Sequence, residues 1–328
     1  MLAEYNIWLI FLVFIGVMVA LDLGVFHREL KVPSIKDAMS WTLVWVSMAL
    51  LFNVAIYMLY ENNYEWVNLV TENLTGREAA SQYFMGYVLE KTLSVDNIFV
   101  IAMIFAYFHV PRQYQHRVLF WGILGAVLLR GFMIMVGVSL LNEFKWITYV
   151  FGALLLYTAI KMLLLRHETV EPGDNPLIKL FRRYLPITDH FHGSSFFVKE
   201  NGKWVATTLF LALMMVESSD VIFALDSIPA IMAVTRDPFI IFTSNIFAIL
   251  GLRSLYFVLA GYMDRFRYLK QSLVFVLAYV GIKMMASNHY HISNGASMAF
   301  ILGILSVGII ASILGSKKDP VPLKGPLE

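Results

Sequence analysis

The 328-residue chain contains no cysteine. That absence excludes disulfide frameworks, thiolate zinc sites, iron–sulfur clusters and cysteine nucleophiles, and it removes the usual clue to redox compartment. Charge is scarce too: 15% of residues are Asp, Glu, Lys or Arg, against about 25% in a soluble globular domain. The net charge of +2 is spread thinly and forms no basic stripe for nucleic acid. The 10 prolines and 20 glycines are too few for a collagenous or low-complexity chain. What fills the sequence is apolar. Hydrophobic residues make up 59% and the mean hydropathy is +0.69, more than a single anchor of about 20 residues would give a chain of this length.

Nine apolar segments are long enough to cross a bilayer, near 5–26, 41–60, 82–108, 118–141, 146–165, 205–234, 239–263, 270–287 and 293–315. They are continuous rather than alternating, so they predict helices and not barrel strands. The expected fold is an all-α membrane protein with nine transmembrane helices. The loops after spans one, three, five and seven, with the C-terminal tail, hold 17 Lys and Arg; the opposite loops hold only Arg77, Lys145 and Arg236. The excess of basic residues marks the cytoplasmic side, which puts the N-terminus outside and the C-terminus inside. No basic residue precedes the first span and no small-residue cleavage site follows it, so it reads as a retained helix.

A single polytopic domain follows: two leading spans in 1–60, a first repeat in 82–165, a cytoplasmic connector in 166–204, a second repeat in 205–287, a final span in 293–315 and a cytoplasmic tail in 316–328. In the connector, Leu177, Ile178, Leu180 and Phe181 interleave with Lys179, Arg182 and Arg183, predicting a short basic amphipathic helix at the membrane surface. Asn201-Gly202 predicts a hairpin that brings Phe196, Phe197 and Val198 against Trp204 and Val205.

The repeat is visible residue by residue. Arg130 in Leu-Leu-Arg-Gly matches Arg253 in Gly-Leu-Arg-Ser, and Tyr157 to Met162 matches Tyr279 to Met284, pairing Lys161 with Lys283. Glu90 with Asp96-Asn97-Ile98 matches Asp220 with Asp226-Ser227-Ile228. Each copy has an odd number of spans, so the second enters the membrane from the opposite side. Inverted repeats of this kind are typical of secondary transporters, whose sites lie at the midplane between the copies.

Six carboxylates fall inside spans: Asp22, Glu90, Asp96, Glu217, Asp220 and Asp226. Acids at membrane depth are costly and are functional candidates by default. Asp96 and Asp226 hold equivalent mid-span positions and are expected to meet at one site. Glu217 and Asp220 share a helix face, whereas the spacing of six turns Asp226 away by about 120°. Pro229 predicts local unwinding, which would add carbonyl ligands. The donors are all oxygen: the carboxylates, the Asn97 amide, and the hydroxyls of Ser94, Ser218, Ser219 and Ser227. Such a set suits a hard divalent cation, Mn, Mg or Ca. The eight histidines sit in loops or at span ends, away from any midplane zinc or copper site. Five bases also lie in spans. Lys91 stands beside Glu90 and marks that acid as the most structural of the six. Arg130, Arg253, Lys161 and Lys283 are candidate counter-ions or gating residues; in the opposite reading these bases only neutralise the acids and hold the bundle together.

The stretches Glu90 to Asn97 and Ser218 to Ala230 resemble the TerC family of bacterial membrane proteins, most of all its Alx subgroup, described as membrane-bound redox modulators and as manganese exporters. The resemblance runs from Leu21-Asp22-Leu23 through Ser244–Arg253 to Lys283. It implies a protein of the bacterial cytoplasmic (inner) membrane that exports a divalent cation, Mn²⁺ foremost, with no catalytic residues and no bound cofactor. The historical tellurite label implies an anion, which an acid-lined midplane disfavours. The expected partners are the cation, the lipid bilayer and protons, since a carboxylate that releases a metal takes up a proton; nucleic acid is not among them. Two other readings remain open: a non-transporting membrane protein of tellurite or stress resistance that acts through partner proteins docked on 166–204, and a selective channel.

Overall fold

The computed structural model describes residues 2–26, 34–62, 74–164, 186–188, 192–200, 202–259, 267–287, 290 and 292–318. Within them the chain is mostly helical: α1 (Leu2–Phe26), α2 (Ile35–Asn62), α3 (Gly76–Tyr107), α4 (Arg112–Glu143) and α5 (Ile147–Leu164) come first. Strands β1 (Ile187–Thr188), β2 (Phe197–Glu200) and β3 (Lys203–Thr207) follow, then α6 (Thr208–Met232), α7 (Pro238–Ile249), α8 (Leu252–Leu259), α9 (Arg267–Ala286) and α10 (Asn294–Lys318). Helices α2, α4, α5, α6 and the 295–312 stretch of α10 are each long and apolar enough to cross a membrane, and the bent pair α7 and α8 makes a sixth. Helix α3 equals α4 in length at 32 residues, but Glu90, Lys91 and Asp96 interrupt its apolar run. Leu51 and Leu128 are each 69% exposed. Apolar exposure on this scale needs an apolar surrounding, which lipid provides.

A helix lies at each apolar segment marked by the sequence, with three departures in detail. The expected span 239–263 is not continuous: α7 stops at Ile249, α8 starts at Leu252, and the two are bent by 41°. Leu250 at φ −58°, ψ 131° followed by Gly251 at φ +80° gives the dihedrals of a type II turn, which favours glycine at its second central position. A Cβ on Gly251 would also stand 2.8 Å from the Trp45 side chain of α2. In the expected span 205–234, residues 205–207 belong to β3 instead, because their backbone pairs with β2 and β1. Pro229 does not unwind α6, which continues to Met232. It lies in the last turn, and its carbonyl still accepts from the Ala233 amide at 3.0 Å, so little of the ladder is lost.

The hairpin predicted at Asn201-Gly202 is present. Strands β2 and β3 are antiparallel with Phe197 opposite Ala206 and Glu200 opposite Lys203, and β1 adds parallel to β3. The expected amphipathic helix at 177–183 lies outside the described residues.

Helix ends explain how the bundle is pinned. Thr75 caps α3 in a reciprocal box with Glu78, and hydrogen bonds from Thr75 hold the Glu78 carboxyl below the usual carboxylate range. Asp237 caps α7 by accepting from the amides of Phe239 (2.9 Å) and Ile240 (3.1 Å), with Pro238 at the first helical position, where a missing N–H costs nothing. The Tyr60 hydroxyl of α2 donates to the same carboxylate at 2.8 Å. Phe11, Phe52, Tyr83 and Phe247 then pack α1, α2, α3 and α7 together. Helices α5 and α9 approach at Gly152 and Gly281, where a Cβ on either would lie about 3 Å from the other's carbonyl oxygen. Small residues permit this backbone approach within a membrane.

Candidate functional site

Arg130 of α4 is fully buried and ties four helices to one guanidinium. Its Nε and Nη2 donate to the two carboxylate oxygens of Asp220 on α6, at 3.0 and 2.6 Å. Its Nη1 donates to Glu90 Oε1 of α3, with Ser227 Oγ of α6 and Asn245 Oδ1 of α7 each at 3.4 Å. A planar fork of five donors suits such bidentate, many-sided capture. Glu90 and Asp220 are the positions matched between the two stretches that the sequence suggests are copies, and this one cation bridges them. Two acids against one base leave the cluster with an unbalanced carboxylate. Glu217 stands three residues before Asp220; its Oε2 is buried without a partner, and a Cβ on Gly125 of α4 would collide with its carboxylate.

Beside this cluster lies a cavity of about 30 Å³ whose wall is mostly apolar, with Asn97, Ser219 and Asp220 among side chains such as Leu119, Val216 and Phe223, together with Ile249 and Leu252. That is room for roughly one or two water-sized particles. Asn97 is 5% exposed and its Oδ1 has no partner. Ser94, one turn earlier on α3, is fully buried with an unpartnered Oγ. Ser218 and Ser219 both donate back to Met215 O, at 2.9 and 2.8 Å, and so have only lone pairs to offer a ligand.

The remaining sequence candidates stand on α1, α3, α5, α6, α8 and α9. Asp226 is half-buried and accepts from Thr158 Oγ1 of α5 at 2.7 Å. Asp96 is half-buried on α3. Asp22 is on α1, but its side chain lies outside the described residues. Arg253 on α8 and Lys283 on α9 are buried, at 6% and 8% exposure, whereas Lys161 is exposed. Among the described residues no group of three or more His, Asp or Glu stands together in a metal-holding arrangement.

Pairing by sequence proximity misplaces two groups. Lys91 turns to the Ala248 carbonyl of α7 at 3.2 Å, while Glu90 goes to Arg130; adjacent residues on a helix do not face each other. Arg130 takes both Glu90 and Asp220. Asn245 and Thr158 were missed as partners. Asn245 had a signal, a polar residue inside the apolar run of α7; Thr158 had none, because a threonine in a helix ordinarily bonds its own backbone.

Residues 75–319 match the family described as integral membrane protein TerC family. An uncharacterized membrane protein of Myxococcus xanthus, STKORF319, is 47% identical over 96% of this chain and 94% of its own length. Alx of Escherichia coli strain K12, for which a role as membrane-bound redox modulator has been suggested, is 45% identical over 93% of each chain. An uncharacterized membrane protein of Rickettsia bellii is 39% identical over 94% of this chain and 97% of its own length. No solved structure matches. With three quarters of its length matched and relatives similar nearly end to end, the chain belongs to the TerC family of integral membrane proteins, alongside Alx.

Proposed function

We propose that this protein is a multi-pass transporter of the bacterial inner membrane, not an enzyme, and that it exports a divalent cation, foremost Mn²⁺, in exchange for protons. The observation that carries the reading is the buried Arg130, held between Glu90 and Asp220 from the two expected copies, beside a small cavity into whose wall Asn97, with its unpartnered oxygen, and Asp220 enter. A carboxylate pair that binds an internal cation in one state is suited to a transported one in another. The packing supports a two-fold arrangement of the copies: α3 packs on α7 as α6 packs on α4, and α5 packs on α9. Nine spans, with α7 and α8 forming one broken span, agree with the loop charges. The substrate's ligands would be Asp96, Asp226, Asp220 and Glu217 with Asn97, assembled as the copies rock. Asp22 and Glu90 complete the acidic path, and Arg253, Lys161 and Lys283 act as counter-ions. Thiol-based redox chemistry of its own is excluded by the missing cysteines.

A second reading, docking of partner proteins on the connector, draws support from Trp204 and Phe197, 68% and 45% exposed on the hairpin. Purified protein in vesicles separates the two. Transport predicts Mn²⁺ movement with no other protein present, accelerated by an opposing pH gradient, and lost by about tenfold or more in Asp96→Asn and Asp226→Asn, which change charge with little change in volume. Vesicles that move no Mn²⁺ would overturn the reading; wild-type flux in either variant would remove that carboxylate from the path.

A further inference from the structure

Helix α7 ends inside the bundle, with Ala248 and Ile249 buried. The last carbonyls of a helix have no intrahelical partner and form its negative end, so a carbonyl end at this depth needs a cation or donor. Lys91 supplies it, its Nζ donating to Ala248 O at 3.2 Å. From Lys91 a stripe of α3 at helical spacing of three continues through Ser94 and Asn97, whose side-chain oxygens are buried and unpartnered. Asn97 shares the cavity with Ile249 and Leu252, the residues on either side of the break. Carbonyl, hydroxyl and amide oxygens at a broken helix are the donor set that holds an alkali cation in transporters built on discontinuous helices.

The two copies differ at this point in a correlated way. Where the second copy has Gly251, the first has Leu128, and α4 is continuous there. Where the first copy has Lys91, the second has Val221, on α6, which packs against that unbroken α4. The lysine occurs only opposite the break.

We propose that Lys91 is a tethered monovalent cation filling an ion position at the carbonyl end of α7, and that a latent sodium site, with Ala248 O and Ser94 Oγ as its first donors, lies beneath the amine. The site rests on the Lys91–Ala248 contact and on the buried, unpartnered Ser94 oxygen one turn along α3; its consequence for transport, that the metal cycle needs no sodium, rests on the export reading. Lys91→Ala removes the amine and opens room for the ion. Full-length Lys91→Ala in detergent should melt about 5 °C higher in sodium chloride than in choline chloride of equal ionic strength, by linkage to ion binding. The wild type and Lys91→Arg, which keep a cation in place, should show no difference between the salts. In vesicles, Mn²⁺ flux through Lys91→Ala should fall about tenfold when choline replaces sodium, and wild-type flux should not change. The melting measurement involves no manganese, so it fails or succeeds apart from the transport reading. Equal melting of Lys91→Ala in both salts, failure of that variant to fold in either, or an equal sodium response in Lys91→Arg would overturn the latent site.

Discussion

Arg130 concentrates the polar cost of the bundle in one residue. Glu90 is fully buried and Asp220 half-buried against it, and taking the guanidinium away leaves both carboxylates without this partner. Breaking a buried ion pair from one side costs about 3–5 kcal/mol. Arg130→Gln should therefore lower the melting temperature sharply, and adding Glu90→Gln should return much of the loss, because the second change removes the stranded acid. Thermal melts of the two single variants and the double make the cycle. A stable Arg130→Gln whose melting temperature rises with Mn²⁺ would instead make Arg130 a displaceable counter-ion. The importance of these side chains was legible in the sequence, since charge inside an apolar run is expensive wherever it occurs. Their pairing was not: Arg130 and Asp220 lie 90 residues apart, and which acid meets which base depends on helix rotation and on packing between the copies.

At the scale of elements, hydrophobic runs located the helices because a bilayer imposes both length and composition. Runs do not report breaks. Leu250-Gly251-Leu252 reads as three more residues of an apolar span, and only backbone dihedrals reveal the turn. In the same way Val205 and Ala206 are apolar enough to extend a span yet pair in a strand. Gly251 gives the break its test. A side chain at φ +80° costs roughly 1–2 kcal/mol from the backbone alone, and the Cβ would also press on Trp45 at 2.8 Å. Gly251→Ala should be destabilised by more than the backbone share. Pairing it with Trp45→Ala should show a favourable coupling, the double variant losing less than the two single losses combined, because the collision is then removed. Melting curves of all three variants measure this; a Gly251→Ala protein as stable as the wild type would mean that the chain passes the break by another conformation.

For the whole molecule the decisive question is whether α7 and α8 together traverse the bilayer or turn back within it, since the same bend of 41° serves a broken span or a re-entrant loop. The sequence suggests a repeat because Arg130 and Lys161 recur as Arg253 and Lys283 at nearly constant spacing, but its handedness depends on counting crossings, and local structure does not fix that count. The loop charges supply an independent constraint, 17 basic residues against 3. A chain without cysteine allows both to be tested on a clean background: His190→Cys and Tyr290→Cys, each the only thiol, probed in intact cells with a membrane-impermeant maleimide. Spans six, seven and eight separate the two positions. An odd number of crossings puts them on opposite sides, and the loop charges then put residue 190 in the cytoplasm, protected, and residue 290 outside, labelled. The reverse pattern would overturn the orientation while leaving the repeat inverted. Labelling of both, or protection of both, would mean an even number of crossings between them; α7 and α8 would then be re-entrant and α9 would run parallel to α5, while α3 and α6, whose relative direction is set by the crossings from α3 to α5, would still bring Glu90 and Asp220 to Arg130 from oppositely directed helices.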